Sequence, residues 1–348
     1  MSPPPAPDGM DSTRRGRGAR DPGIPGLPRN VVALGFVSLL TDVSTEMIVP
    51  VLPLFVVGVL RASMASVGVI EGVAESTAAL MRLGSGWLSD RIGRRKPFLF
   101  LGYGLSAAAK AALAAVMSWP LVLALRFGDR VGKALRNPPR DALIADSVDA
   151  RFLGRAFGFH RGLDTLGAAI GPLVAFAMLR AHPGGFRRIF LGSAVPALLS
   201  LAVLAVFVRA KPRGRAKPRG RAAERTLGER GTGWVAGPFR RFLITAGLFS
   251  LANSSTAFLL LLAADRAHGA GLGGAQVTLV YLFYNLIYAL LSWPVGELSD
   301  RVGRRPILLG AYLLFALLYG ALAWRASAPW VVAGFALLGV HSSMLEAS

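Results

Sequence analysis

Long apolar runs follow one another along almost the whole chain, separated by short polar segments rich in arginine. A helix rises about 1.5 Å per residue, so about 20 apolar residues cross a hydrocarbon layer of about 30 Å. Runs of that length lie at roughly 31–59, 66–88, 97–117, 119–138, 155–180, 187–208, 241–264, 275–297, 306–324 and 329–348. They are continuous and rich in Leu, Ala and Gly, without the apolar–polar alternation of a lipid-facing β-strand. The pattern predicts an all-α polytopic membrane protein with about ten transmembrane helices.

The polar segments set the topology. Residues 1–30, crowded with Pro, Gly and Arg, read as a disordered basic cytoplasmic tail, and the run after them is too long for a cleaved signal peptide. With that tail inside, the cytoplasmic segments hold 29 Lys and Arg and the outer ones 6, which predicts the orientation of a multi-pass protein in the cell membrane. The longest connection, 209–240, contains "RAKPRGRAKPRGRAAER". It divides an N-terminal bundle of six spans (31–208) from a C-terminal bundle of four (241–348). Its basic residues read either as a solvated spacer that enforces topology or as a magnet for anionic lipid headgroups.

Composition narrows the chemistry. The 348 residues are 53% hydrophobic and 17% charged, with no cysteine and four histidines, which argues against disulfides, thiolate sites and a transition-metal cluster. No cofactor is implied. A net charge of +20 would suit nucleic acid, but the cations lie in loops between spans and behave as topology signals, so no nucleic-acid partner is expected. The sequence lacks a Gly-rich phosphate loop and a nucleophile constellation, which argues against an enzyme.

One polar segment recurs. "SGWLSDRIGRRKP" at 85–97 returns as "VGELSDRVGRRP" at 295–306, pairing Gly86 with Gly296, Asp90 with Asp300, Arg91 with Arg301, Gly93 with Gly303 and Arg94 with Arg304. Both copies follow the second span of a half, the mark of a duplicated, pseudo-symmetric architecture. The pattern G-x-L-S-D-R-x-G-R-R resembles the signature loop of the major facilitator superfamily. Gly167-Ala-Ala-Ile-Gly171-Pro172 is similar to the G-x-x-x-G-P signature of its proton-coupled antiporters. "LALRFGDRVGKALR" resembles its helix-four motif, with Arg126 at the arginine position and Arg130 where glycine is usual. The resemblance implies two helical bundles rocking about a central site, with ten of the usual twelve helices present. It also implies a gating loop whose Asp90 pairs with an arginine such as Arg130 or Arg136. The alternatives are loops that only anchor topology and glycines that only pack helices.

Ionisable groups within spans cost about 2.5–3.5 kcal/mol each on insertion scales and so mark function by default. Asp42 and Glu46 share one face of the first span near its middle, and Glu71 and Glu75 repeat the spacing in the second. The fourth span carries Arg126, Asp129, Arg130 and Lys133 as a polar stripe, and the fifth carries Arg161 and Asp164. At the 210-residue offset Tyr281 stands opposite Glu71 and Asn285 opposite Glu75, so the second half keeps polarity and loses charge. Asp42, Glu46 and Glu75 are the proton-site candidates, since a carboxyl in an apolar cavity can exchange a proton near neutral pH. Structural ion pairs with Arg126, Arg130 or Arg161 are the alternative. Asp129 with Arg126, and Asp164 with Arg161, are expected as internal pairs, and Lys110 and Arg82 are expected to snorkel from span ends. Tyr281, Tyr284, Asn285 and Tyr288 offer a wall for substrate.

The function expected is proton-coupled secondary transport, chiefly export of a small organic solute by alternating access, by a monomer. An importer or uniporter of a polar or anionic solute held by Arg126 and Arg130, and a non-transporting scaffold or sensor, remain as alternatives.

Overall fold

The computed structural model describes residues 27–92, 95–149, 152–209, 240, 244, 247, 255–324 and 326–347, with the backbone alone for 82–92. The expected tail and linker therefore lie almost wholly outside the described residues.

The first apolar run folds as α1 (Arg29–Ile48), then breaks. Pro50 has no N–H to give and its ring crowds the preceding turn, so the chain passes through a turn before the single helical turn Leu52–Leu54 and the widened turn Phe55–Val59. The others follow as α2 (Met64–Ile92), α3 (Arg95–Ala112), α4 (Trp119–Asp146), α5 (Leu153–Ala181), α6 (Phe186–Phe207), α7 (Thr256–Ala264), α8 (Gly274–Val302), α9 (Arg304–Trp324) and α10 (Ala328–Glu346). Among the described residues, 8 helical segments are long and apolar enough to cross a membrane. The two predicted spans not among them have plain reasons. Helix α4 is long enough but carries the charged stripe, and only the last nine residues of its length describe α7.

The structure extends α4 eight residues past the sequence-based boundary at Pro138, through Pro138 and Pro139 to Asp146. Prolines are tolerated in membrane helices where neighbours satisfy the freed backbone groups. The consequence is positional, because Arg140 and Asp141 now belong to a helix and not to a loop.

Helix α1 packs along α5 and α6, while α4 packs between α2 and α3. In the other half α10 packs against both α8 and α9, and α8 crosses to lie along α5. The approaches are made by small residues, the usual device where lipid removes any hydrophobic drive between helices. A Cβ on Gly171 would sit 2.7 Å from Val43 O, and one on Gly167 2.8 Å from Leu39 O, so α5 lies backbone-close on α1. Gly102 and Gly132 do the same for α3 and α4, each within 2.6 Å of the other's carbonyl by that measure. Pro172 is buried within the same turn of α5 as Gly171.

Two apolar clusters define the shape of the molecule. The larger joins both halves: Val51, Phe55, Leu179 and Phe190 from the first meet Leu260, Val277, Val280, Leu318 and Phe335 from the second. Its members sit at the helix ends remote from the basic loops. The smaller cluster, around Val31, Leu34, Leu99, Ile144, Ala156 and Leu204, lies nearer those loops and draws only on α1 and α3–α6 with the residues flanking α1 and α6. Among the described residues the halves are thus welded at one side by apolar packing and share no such cluster at the basic side.

The repeated loop is described in one copy. Gly303 ends α8 at φ 88° and ψ 158°, a region that side chains other than glycine's rarely enter. Its N–H closes on Ser299 O at 2.9 Å, and Ser299 Oγ donates to Ala347 O at 2.8 Å. Asp300, Arg301 and Arg304 are exposed, with Arg301 paired to Glu297. Gly296 has open space beside it and makes no close helix approach. In the other copy Gly86, Asp90 and Arg91 fall on backbone whose side chains are undescribed, and Gly93 and Arg94 lie outside the described residues.

Candidate functional site

A cavity of about 520 Å³ is lined by residues of the first half together with Tyr288 of the second. Helix α1 contributes Ser38, Thr41 and Asp42, α3 contributes Tyr103, α4 contributes Lys133, Arg136, Arg140 and Asp141, α5 contributes Arg161, Asp164 and Thr165, and α8 contributes Tyr288. These positions lie toward the basic ends of their helices. Polar side chains recur on α1 every three or four residues, which puts Ser38, Asp42 and Glu46 on one face. The close α1–α5 packing at Gly167 and Gly171 fixes that face against α5, since Cβ atoms there would meet Asp42 Cβ at 2.9 Å and Glu46 Cβ at 2.7 Å.

The charged groups sort into those already spoken for and those left over. Arg140 bonds Asp141 at 3.0 Å and Ser38 Oγ at 3.2 Å. Arg161 donates to Tyr288 Oη at 2.8 Å and pairs with Glu346, tying α5 to α8 and α10 across the basic side. The expected Arg161–Asp164 pair is therefore not formed. One turn back along the helix, His160 takes that place, with its Nδ1 3.4 Å from Asp164 Oδ2, because Arg161 extends away toward the other half. Asp42, Lys133 and Arg136 line the cavity without an ion pair or side-chain hydrogen bond among the described residues.

The halves also meet at single polar bonds. Tyr281 Oη donates to Glu46 Oε2 at 2.8 Å, and Asn285 Nδ2 donates to Ala168 O at 2.9 Å. Within the second half, Tyr284 Oη and Ser342 Oγ lie 3.2 Å apart in a hydrogen bond. Tyr281, Tyr284 and Tyr288 form a ladder down α8, with ring centroids 5.6 Å and 6.5 Å apart.

Behind the cavity a second polar group is buried inside the first half. Arg126 Nη2 bonds Glu71 Oε1 at 3.0 Å, with Asp129 Oδ2 farther off at 4.0 Å. Asp129 accepts from Ser106 instead. Arg130 Nη2 pairs with Glu75 Oε1 at 3.0 Å, and the Glu75 side chain is 67% exposed. Of the three proton-site candidates, Asp42 lines the cavity, whereas Glu46 and Glu75 do not. Arg126 and Arg130, the expected holders of an anionic solute, are instead engaged by α2 carboxylates. Lys110, expected to snorkel, is only 3% exposed and donates to Thr45 Oγ1 at 2.7 Å. Sequence reasoning also missed Tyr103, Arg136 as a cavity wall, Arg140 and Asp141. A signal was present for two of them, since Arg136 and Arg140 continue the i, i+3, i+4, i+7 stripe begun at Lys133.

Comparison with known protein families matches the Major Facilitator Superfamily over residues 34–348. The chain belongs to that superfamily. An uncharacterized MFS-type transporter of Methanocaldococcus jannaschii is 32% identical over 316 residues, 90% of this chain and 77% of that protein. Multidrug resistance protein MdtG of Proteus mirabilis is 30% identical over 189 residues, 53% of this chain and 46% of that protein. Two solved structures share the fold. A bacterial homolog of the human lysosomal transporter Spinster, inward-facing and unoccupied, aligns with a TM-score of 0.63 and 19% identity over 91% of this chain and 74% of its own. A D-xylose-proton symporter aligns with a TM-score of 0.66 and 17% identity over 90% and 79%. This member of the major facilitator superfamily is a multi-pass membrane transporter and not an enzyme.

Proposed function

We propose that this protein is a proton-coupled secondary transporter that moves a small organic solute by alternating access, with residues 31–208 and 241–348 as the two rocking units. The observation that carries the reading is the pairing of an apolar seal on one side with a polar cavity on the other, at whose walls Asp42 is uncommitted. A carboxyl in that position takes up and releases protons without first breaking a salt bridge. Glu46 is the natural second site, because its bond to Tyr281 joins the two halves, so protonation there acts directly on the contact that must break when they rock. The gating loops at Gly86–Arg94 and Gly296–Arg304 are assigned to control of that motion at the basic side. Export is the direction that the partial likeness to MdtG favours.

A second reading, entry of an anionic solute together with a proton, is favoured by the unpaired Lys133 and Arg136. An anion bound beside Asp42 favours the protonated carboxyl, so anion and proton travel together. The sign of proton movement separates the two. Reconstituted vesicles loaded with a pH dye are challenged with a panel of small organic cations and anions. Export coupling gives proton release on addition of a carried compound, and co-entry gives proton uptake. Both responses should vanish in Asp42→Asn, and solute flux with no proton movement in the unmodified protein would contradict proton coupling.

A further inference from the structure

The cavity wall made by α3 and α4 contains donors with nothing to donate to. Arg136 is 4% exposed, and its Nη1 has no hydrogen-bond partner among the described residues. Its guanidinium lies over the Tyr103 ring at 4.7 Å. Tyr103 is 2% exposed, and its hydroxyl is likewise unpartnered. A buried donor left unmade is costly, so two such groups on one wall call for an acceptor. Lys133, one turn from Arg136 on the same helix face, lines the cavity and carries no ion pair.

The other cations of the cavity already have anionic partners, and those of that wall do not. Arg140 is offset by Asp141, and Arg161 by Glu346. Asp164 faces His160. What remains is two cations, Lys133 and Arg136 on α4, and two carboxyls, Asp42 on α1 and Asp164 on α5, with no ion pair formed between the two sets among the described residues. The planar fork of an arginine, a lysine ammonium and a phenol hydroxyl together match the geometry of a carboxylate or phosphate group.

We propose that Tyr103, Lys133 and Arg136 form an oxyanion subsite, which takes the carboxylate or phosphate head of a small organic solute while the rest of the solute lies along Tyr288 and α5. The proposal rests on the cavity being the solute site and holds for either direction of transport. It relocates anion recognition from Arg126 and Arg130, which α2 already neutralises, to a wall whose donors are free.

The test is direct binding, without transport. The purified protein in phosphatidylcholine nanodiscs is titrated with inorganic phosphate and with succinate at constant ionic strength, and its unfolding temperature is followed, with potassium chloride as the control. At least one of the two oxyanions should raise that temperature saturably, while chloride does not. Lys133→Gln should weaken the apparent affinity about tenfold or more, as loss of a charge-assisted bond requires, and Tyr103→Phe by a smaller factor. Arg188→Gln, which removes a cation exposed on the opposite side, should leave it unchanged. Lys133 is only partly buried, so its variant keeps the test decisive where Arg136→Gln fails to fold. No saturable effect of either probe, or an effect untouched by Lys133→Gln, overturns the subsite. Repeating the titration in phosphatidylglycerol nanodiscs separates solute from lipid. An unchanged phosphate or succinate response supports a solute site, and its loss would assign the wall to a lipid headgroup and overturn the solute proposal. Because proton coupling is read from Asp42→Asn in vesicles, either claim can fail while the other stands.

Discussion

Adding one methyl group at Gly171 tests how the carboxyl face of α1 is held. A Cβ at that position would lie 2.7 Å from both Val43 O and Glu46 Cβ, where ordinary contact begins near 3.4 Å. The atoms in the way are backbone and Cβ, which no rotamer change can move. Helix α5 must therefore retreat from α1 by several tenths of an ångström along its whole contact, and overpacking of that kind costs about 1–3 kcal/mol. The same helix supplies its own control, because a Cβ at Gly158 or Gly162 meets nothing within 4 Å. There the change to alanine gains up to about 1 kcal/mol of helix propensity. Gly171→Ala should thus be about 2–4 kcal/mol less stable than Gly162→Ala. Unfolding in mixed micelles by titration with sodium dodecyl sulfate, followed by far-ultraviolet circular dichroism, measures the difference. Equal stability of the two variants would refute the claim that glycine is required for the α1–α5 approach and that this approach places Asp42 and Glu46.

Further expectations follow from single contacts. Glu71→Gln leaves the buried Arg126 guanidinium with Asp129 alone, 4.0 Å away, and should cost about 1–3 kcal/mol in the same unfolding assay, with Glu71→Gln/Arg126→Gln recovering part of the loss. Gly303→Ala forces a methyl into a backbone region at φ 88° and should destabilise by about 1–3 kcal/mol, whereas Gly296→Ala, beside open space, should not. Arg161→Gln releases α5 from Glu346 and Tyr288. A partly exposed pair of this kind is worth about 0.2–1 kcal/mol, so spin labels at Gly154→Cys and Arg305→Cys should show longer distances in a modestly larger fraction of molecules. An unchanged distribution would remove Arg161 from control of the basic side.

The all-helical architecture was readable because a membrane span must be long and continuously apolar, a requirement that leaves few alternatives for these runs. The duplicated loop is the sequence feature that suggests a division into two halves. Side-chain pairing was far less legible, for physical reasons that differ from residue to residue. Arg126 has Asp129 three residues away on its own helix, yet its stronger partner is Glu71 on α2, a choice set by helix rotation that periodicity alone leaves open. Arg161 lies three residues from Asp164 but reaches Glu346, which is 185 positions away along the chain. Lys110 looked like a span-end cation, yet it is buried and turned toward Thr45 on α1. The fourth apolar run ends at 138, which leaves Arg140 and Asp141 beyond it, while the helix continues to Asp146. Where the sequence pattern and the packing geometry agree, at Asp42, Glu46, Gly167 and Gly171, the candidate residues fall together.

The proposed mechanism requires that protonation of Asp42 govern which side the cavity faces. The chain has no cysteine, so Thr165→Cys places a unique thiol on the cavity wall, and its reaction with a membrane-impermeant maleimide reports access from each side of a sealed vesicle. Without a gradient the thiol should react from the basic side. An imposed proton gradient should raise its reaction from the opposite side, and Asp42→Asn should abolish that rise. A reaction from the opposite side that ignores the gradient, or a rise that survives Asp42→Asn, would contradict the mechanism.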